Sequence, residues 1–238
     1  MIILTEVDPL TFKEAVKSKK LRDAMNAEIE AIERNKTLVL TILPERVKSI
    51  RVKWIFKTKL NKNGKIDKCK ARLVAKRYAQ QYRIDYMEVY APMIRLDTIR
   101  LIIALAAQEG WSIFQFDVKS AFLHGELSKE VFVQQPQGCE KKGEEHKVYK
   151  LNKSLYGLKQ ASQAWYNKIE ACFAKEGFKK YHCEHTLFTK LKEEGKLLIV
   201  SLYVDDLIFT RNDNNMCEKF KKIMLEFDMS DLEILFGD

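Results

Sequence analysis

Two aspartates stand side by side in the apolar stretch Ser201–Phe209, SLYVDDLIF. Leu202, Tyr203, Val204, Leu207, Ile208 and Phe209 all favour strands, so Asp205 and Asp206 fall where the chain would otherwise be buried. Asp suits turns, and the plain turn of a β-hairpin is one reading. Turn aspartates usually come with Gly or Asn, and neither is adjacent here. Two carboxylates held this close repel each other unless a cation neutralises them. A hard divalent cation such as Mg²⁺ takes oxygen ligands, commonly one or two carboxylates plus substrate phosphates. Asp117 offers a third carboxylate, at the end of a segment in which Phe114, Phe116 and Val118 alternate with Ile113, Gln115 and Asp117. An aspartate closing one buried strand and an Asp-Asp hairpin tip much later in the chain could together assemble two metal ions.

A second chemistry lies upstream. From Lys53 to Arg77 there are ten basic residues (53, 57, 59, 62, 65, 68, 70, 72, 76 and 77) and one acid, Asp67. Asn63-Gly64 in their midst is a strong hairpin signal, with strands expected over 52–59 and 65–75. A solvated charged hairpin is the bland alternative. A basic ribbon interleaved with Trp54, Ile55, Phe56, Leu73 and Val74 suits phosphate contact better. The whole chain of 238 residues carries a formal charge of +9, which favours an anionic partner, nucleic acid before membrane. Five scattered cysteines without a C-x-x-C pair read as a reduced, intracellular pattern. The HCEH run, His182–His185, reads as ordinary surface in the absence of further ligands. No apolar run approaches the length of a membrane span, no leader is visible, and no Gly-rich phosphate loop points to a small-molecule phosphotransferase.

These groups need elements to position them. An amphipathic helix is expected over 10–34, with Met25, Ile29 and Ile32 on one face. A short strand follows over 37–44. RLDTIRLIIALAAQEGW predicts a helix capped by Asp97 or Thr98, ended at Gly110, with Ile99, Ile102, Ile103 and Ala106 buried. SQAWYNKIEACFAKEGF predicts another, with Trp165, Ile169, Cys172 and Phe173 inward. VFVQQPQG is a strand stopping at Pro136. Three strands are expected between 185 and 213, the last two meeting at the Asp pair, and a helix over 214–229. Helices interleaved with mostly antiparallel strands give an α+β class.

Several segments in order now resemble one family: KWIFKTKLNKNGKIDKCKARLVAK, DYMEVYAPMIRLDTIRLIIALAA, FQFDVKSAFLHGEL, VFVQQPQG, LNKSLYGLKQASQAWY, LLIVSLYVDDLIFT and FDMSDL. Together they resemble the reverse transcriptase domain of copia-type LTR retrotransposon Pol polyproteins over about residues 24–238. The resemblance implies polymerase fingers and palm over 37–238, after a helical lead-in over 1–36, with the chain stopping before a thumb. It implies an RNA-directed DNA polymerase acting by two-metal phosphoryl transfer, with Asp117, Asp205 and Asp206 as the catalytic carboxylates. Asp117 and Asp205 would bridge two Mg²⁺ ions (Mn²⁺ substituting), Asp206 would shape the site, and the Val118 carbonyl would join the nucleotide metal. Arg72 would clasp the triphosphate with Lys57 or Lys59, the hairpin register leaving that choice open. Ser120 and Ala121 would offer backbone N–H groups, Phe122 would be the aromatic gate under the sugar, and Gln160 would contact the nucleotide. Tyr203 would lie near the primer end. The implied partners are an RNA or DNA template with primer, deoxynucleoside triphosphates and the rest of the Pol polyprotein, in a cytoplasmic particle or the nucleus.

The chain departs from that pattern in places. The family usually has Gly where Arg77, Arg83, Arg211 and Glu233 stand, Pro-Arg at Ser162-Gln163, and Trp at Leu38. An arginine in place of a glycine is strained wherever that glycine had positive φ. Each of the Gly, Pro and Arg changes can arise by one transition, which suggests a decaying genomic copy. A non-catalytic nucleic-acid-binding remnant is the alternative function.

Overall fold

The computed structural model describes residues 8–9, 11–227 and 233–236. In chain order the elements are α1 (Phe12–Ala15), α2 (Lys19–Arg34), β1 (Leu38–Thr41), β2 (Val52–Leu60) and β3 (Ile66–Ala75). Then come α3 (Leu96–Glu109), β4 (Ile113–Asp117), β5 (Glu126–Val133), β6 (Val148–Lys153) and α4 (Ala161–Lys175). The remainder is β7 (Lys179–Lys180), β8 (Leu187–Leu191), β9 (Leu197–Tyr203), β10 (Asp206–Arg211), α5 (Asn214–Met224) and β11 (Glu233–Phe236). The named strand pairs are all antiparallel, and the α+β class holds.

The chain forms two compact units, each built from two stretches of sequence. One comprises residues 1–89 and 126–161. It contains the β2–β3 hairpin and a three-stranded sheet in the order β1-β6-β5. The expected helix over 10–34 is broken in two. Thr11 caps the start of α1 with a capping box through Glu14, α1 ends at its C-cap Val16, and the Arg22 guanidinium of α2 donates to the Val16 carbonyl. Position 10 lies outside the described residues. The inner face of α2 carries Leu21, Met25, Glu28 and Ile32, so one buried position on an otherwise apolar stripe is a carboxylate.

The other unit comprises residues 90–125 and 162–238, with a six-stranded sheet in the order β11-β4-β10-β9-β8-β7. One sheet face is apolar. Phe114 and Phe116 of β4, Leu207 and Phe209 of β10, and Val200 and Leu202 of β9 pack against Trp165, Ile169 and Phe173 of α4 and Phe220 of α5. The α4 expectation holds, with Cys172 only half-buried. The α3 expectation needs correction. Only Ile102 and Ala106 are buried, while Leu101 and Ile103 are exposed. Its N-cap is Arg95, with no side-chain cap. Thr98 is diverted elsewhere: its hydroxyl donates to Glu184 Oε2 at 3.1 Å, and the Arg95 N–H reaches the same oxygen at 3.4 Å. Most of the FDMSDL segment lies outside the described residues.

Candidate active site

Alternation in β4 and β10 sets Phe114, Phe116, Leu207 and Phe209 on one face and Gln115, Asp117 and Asp206 on the other, with Ile113 and Ile208 farther from the turn on that second face. Asp206 pairs with Asp117, Leu207 with Phe116 and Ile208 with Gln115. The β9–β10 turn is two residues long, Val204-Asp205, closed by the Tyr203–Asp206 pair. Such tight hairpins need positive φ in the loop. Here Val204 supplies it, with φ 57°, where a β-branched residue is an outlier. Strain of this kind persists only where surrounding structure enforces it, and it clusters at functional sites.

Two backbone anchors enforce it. The Val118 N–H donates to the Asp205 carbonyl at 2.8 Å, and the Trp165 indole Nε1–H donates to the Val204 carbonyl at 2.6 Å. Helical spacing marks Trp165 as a core residue only. Its strand-facing position in the helix was legible, but the acceptor was not. Gln115 was also missed as a site residue: its Nε2 donates to Asp206 Oδ1 at 3.0 Å. Asp117 is exposed, while Asp205 and Asp206 are half-buried. Among the described residues, no three His, Cys, Asp or Glu side chains converge as a ligand set for an ion. The donor chemistry still suits a hard cation. Two carboxylates face each other across one ladder, a third sits in the adjoining turn, and Mg²⁺ commonly completes its sphere with water and substrate oxygens.

Beyond Asp117 the chain turns sharply. Ser120 has φ 54° and opens a 3₁₀ turn, Ala121–His124. Ala121 is buried, and Phe122 is half-buried against the core of the same unit. Tyr203, at the end of β9, is 45% exposed.

The remaining candidates lie in the first unit. The β2–β3 register sets Lys53, Lys57, Lys59, Lys68, Lys70 and Arg72 on one face, and Trp54, Phe56, Ala71, Leu73 and Ala75, all buried, on the other. Of the interleaved apolar residues, Ile55 and Val74 share the basic face, while Trp54, Phe56 and Leu73 belong to the core. Ile55 stands opposite Arg72 and Lys57 opposite Lys70, so Lys57 and Lys53 are the diagonal neighbours of Arg72 and Lys59 is farther along.

Arg72 is held in place. Its Nη1 donates to Glu28 Oε2 at 2.7 Å, and its guanidinium lies 5.2 Å from the centre of the Tyr156 ring. Glu28 Oε1 accepts from the Leu73 N–H at 3.2 Å. Burial pushes the Glu28 carboxyl upward, and the charge of Arg72 opposes that rise. Tyr156 is fixed by its neighbour. Gly157 has φ 85°, and a Cβ there would lie 2.4 Å from the Ala75 carbonyl, so only glycine lets this loop abut β3. Gln160 is buried, its Nε2 bonded to the Asp85 carbonyl and its Oε1 to Gln80 Nε2, both at 2.9 Å.

Of the positions read as departures, Arg83 does have positive φ, at 68°, with its guanidinium 5.6 Å from the Tyr82 ring centre. Arg77 lies in a 3₁₀ turn and Arg211 in β10, and neither has positive φ.

Residues 35–236 match the family described as reverse transcriptase (RNA-dependent DNA polymerase). The chain is 37% identical over 236 residues to the retrovirus-related Pol polyprotein from transposon TNT 1-94 of Nicotiana tabacum, which covers 98% of this chain and 18% of that protein. It is 38% identical over 213 residues to the Pol polyprotein from transposon RE1 of Arabidopsis thaliana, covering 89% of this chain and 14% of the relative. Among solved structures, the prototype foamy virus protease-reverse transcriptase aligns with 91% of this chain and 24% of its own, at 13% identity and TM-score 0.45. The chain belongs to the reverse transcriptase family and corresponds to the reverse transcriptase domain of copia-type Pol polyproteins. It spans less than a fifth of the length of those relatives. Among the described residues no helix is long and apolar enough to cross a membrane.

Proposed function

We propose that the chain extends a nucleic-acid primer on an RNA or DNA template, by phosphoryl transfer from deoxynucleoside triphosphates at Asp117, Asp205 and Asp206. The observation that carries this is the facing pair Asp117–Asp206 at the turn end of the ladder, with Asp205 in the strained turn beside it. Two bound Mg²⁺ ions, or Mn²⁺, would supply charge neutralisation and Lewis acidity at the primer hydroxyl and the triphosphate. Asp117, Asp205 and the Val118 carbonyl would hold them, and Asp206, oriented by Gln115, would shape the cradle. Ser120 and Ala121 would offer backbone N–H groups to phosphate oxygens. Phe122 would stand under the sugar and exclude a 2′-hydroxyl by bulk. Tyr203 would border the primer end.

In this reading the second unit is the palm and the β2–β3 hairpin belongs to the fingers. Arg72, ordered by Glu28 and Tyr156, would grip the triphosphate, with Lys57 as its nearer basic neighbour than Lys59. Gln160 would act through the loop it ties to Asp85 rather than with a free carboxamide. The basic hairpin face supports a second reading, a nucleic-acid-binding remnant without chemistry, because that face does not depend on the carboxylates.

Primer extension with Mg²⁺ or Mn²⁺, run beside the Asp205→Asn chain, separates the two. Extension lost in the substituted chain supports polymerisation. Template–primer binding without extension in either chain supports the remnant.

A further inference from the structure

The turn that presents Asp205 takes a backbone conformation that its own residue disfavours, since Val204 has φ 57°. A circuit of contacts closes around it within one unit. The Val204 carbonyl accepts from Trp165 Nε1 at 2.6 Å, and the next carbonyl, of Asp205, accepts from the Val118 N–H at 2.8 Å. Trp165 is 1% exposed. Its ring meets Phe227 edge-on at 5.4 Å and lies tilted against His124 at 5.9 Å. His124 closes the 3₁₀ turn that begins just after Asp117-Val118. Next to it, a Cβ on Gly125 would lie 2.6 Å from the Ala164 carbonyl carbon and the Trp165 nitrogen, so α4 comes as close to this segment as backbone can. The two carboxylate-bearing segments are thus each tied to Trp165, one by a hydrogen bond to the turn and the other by ring and backbone contact. Packing alone would need only a large ring at this position. The indole N–H aimed at the carbonyl of the strained residue itself is additional.

We propose that Trp165 is a positioning residue whose indole N–H holds the Val204-Asp205 turn in its left-handed form and so sets Asp205 beside Asp117. The assignment rests on the polymerase reading for its consequence, but its geometry can be tested independently of that reading.

Trp165→Phe keeps a ring against His124 and Phe227 and removes only the donor. Mn²⁺ serves as the probe, its binding followed by electron paramagnetic resonance, with hydrogen exchange of the Val118 amide as a second readout. Positioning groups behind metal ligands commonly govern affinity by about 10–100-fold. W165F should weaken Mn²⁺ binding by about tenfold and speed exchange at Val118. Val204→Gly in the W165F background should restore both, since glycine takes positive φ without strain. A purely structural tryptophan would show no such rescue, so W165F losses that V204G leaves untouched, or no losses at all, overturn the proposal. If Mn²⁺ binding is equal in the wild-type and Asp205→Asn chains, the polymerase reading fails, and the exchange data alone decide the positioning role. Should W165F not melt cooperatively, the unsubstituted chain decides it. A scalar coupling across the hydrogen bond from Trp165 Nε1 to the Val204 carbonyl carbon supports the proposal, and its absence overturns it.

Discussion

Asp206 stands directly opposite Asp117 across the β10–β4 ladder, and Gln115, two residues upstream on the same face, donates to Asp206 Oδ1 at 3.0 Å. Like charges facing each other across a ladder are destabilising, and a neutral donor beside one of them offsets part of that repulsion. Gln115→Glu puts a further carboxylate next to Asp206. The expected result is a lower melting temperature without divalent cation, and a larger gain on adding Mg²⁺ than the wild-type chain shows. Differential scanning calorimetry with and without Mg²⁺ checks this, and equal gains would count against the arrangement.

The three aspartates are not expected to be equivalent. Asp117→Asn and Asp205→Asn should each lower primer extension by on the order of 10²-fold or more while leaving the cooperative melt intact. Asp206→Asn should cost less, because an amide can still accept from Gln115. Single-turnover extension rates for the three chains give the ranking.

Arg72 and Glu28 can be separated by a double substitution. Glu28 has a side chain only 1% exposed, against 35% for Arg72. Arg72→Ala leaves that carboxylate buried without its cation, and should destabilise the fold by about 2–3 kcal/mol, below the figure for a fully buried pair because Arg72 is partly solvated. Adding Glu28→Gln should recover most of the stability, since a neutral amide needs no cation and its oxygen still accepts from the Leu73 N–H. Affinity for the nucleotide should stay low in the double variant. Recovery of both, measured by urea denaturation and nucleotide titration, would remove Arg72 from the proposed phosphate grip.

Three arginines that stand where the family usually has glycine should respond differently to Arg→Gly. Arg83, at φ 68°, pays a left-handed penalty that glycine avoids, so Arg83→Gly should stabilise by about 0.5–1 kcal/mol. Arg211 lies in β10 with its guanidinium 4.9 Å from the Phe114 ring centre, and Arg77 lies in a 3₁₀ turn. Glycine at either should destabilise by roughly 0.5–1 kcal/mol through lost backbone restriction. Thermal melts of the three chains would show opposite signs.

Glu184 ties the loop before β8 to the start of α3. Burial pushes its carboxyl upward, but hydrogen bonds from the Thr186 hydroxyl and N–H, the Thr98 hydroxyl and the Arg95 N–H outweigh burial and leave it below the ordinary carboxylate value. A depressed folded-state value means the contribution is present above the unfolded value and is lost as pH falls through the folded one. Glu184→Gln should therefore lower the melting temperature at neutral pH. It should also flatten the wild-type decline as pH falls below the ordinary carboxylate range. Parallel declines in the two chains would show that Glu184 is not the titrating group.

The sequence by itself determined what depends on neighbours along the chain. Alternation over 113–118 assigned one strand and its faces, the strand-favouring run over 197–209 marked a hairpin around Asp205-Asp206, and Asn63-Gly64 placed the basic one; the turn itself is Val204-Asp205, with Asp206 already in the ladder. Spacing within α4 put Trp165, Ile169 and Phe173 inward. Only the tertiary structure decided which groups meet. Periodicity tells that a side chain faces inward but not what lies opposite it, because register and donor–acceptor pairing are settled by contacts between segments far apart in sequence. For that reason Asp117 and Asp206 become neighbours across the ladder, with Gln115 bonded to Asp206. The Trp165 N–H finds the Val204 carbonyl. Glu28, a charge on an apolar stripe, proves to be the partner of Arg72. For the same reason Thr98, a good capping residue by type, gives its hydroxyl to Glu184 instead of capping α3.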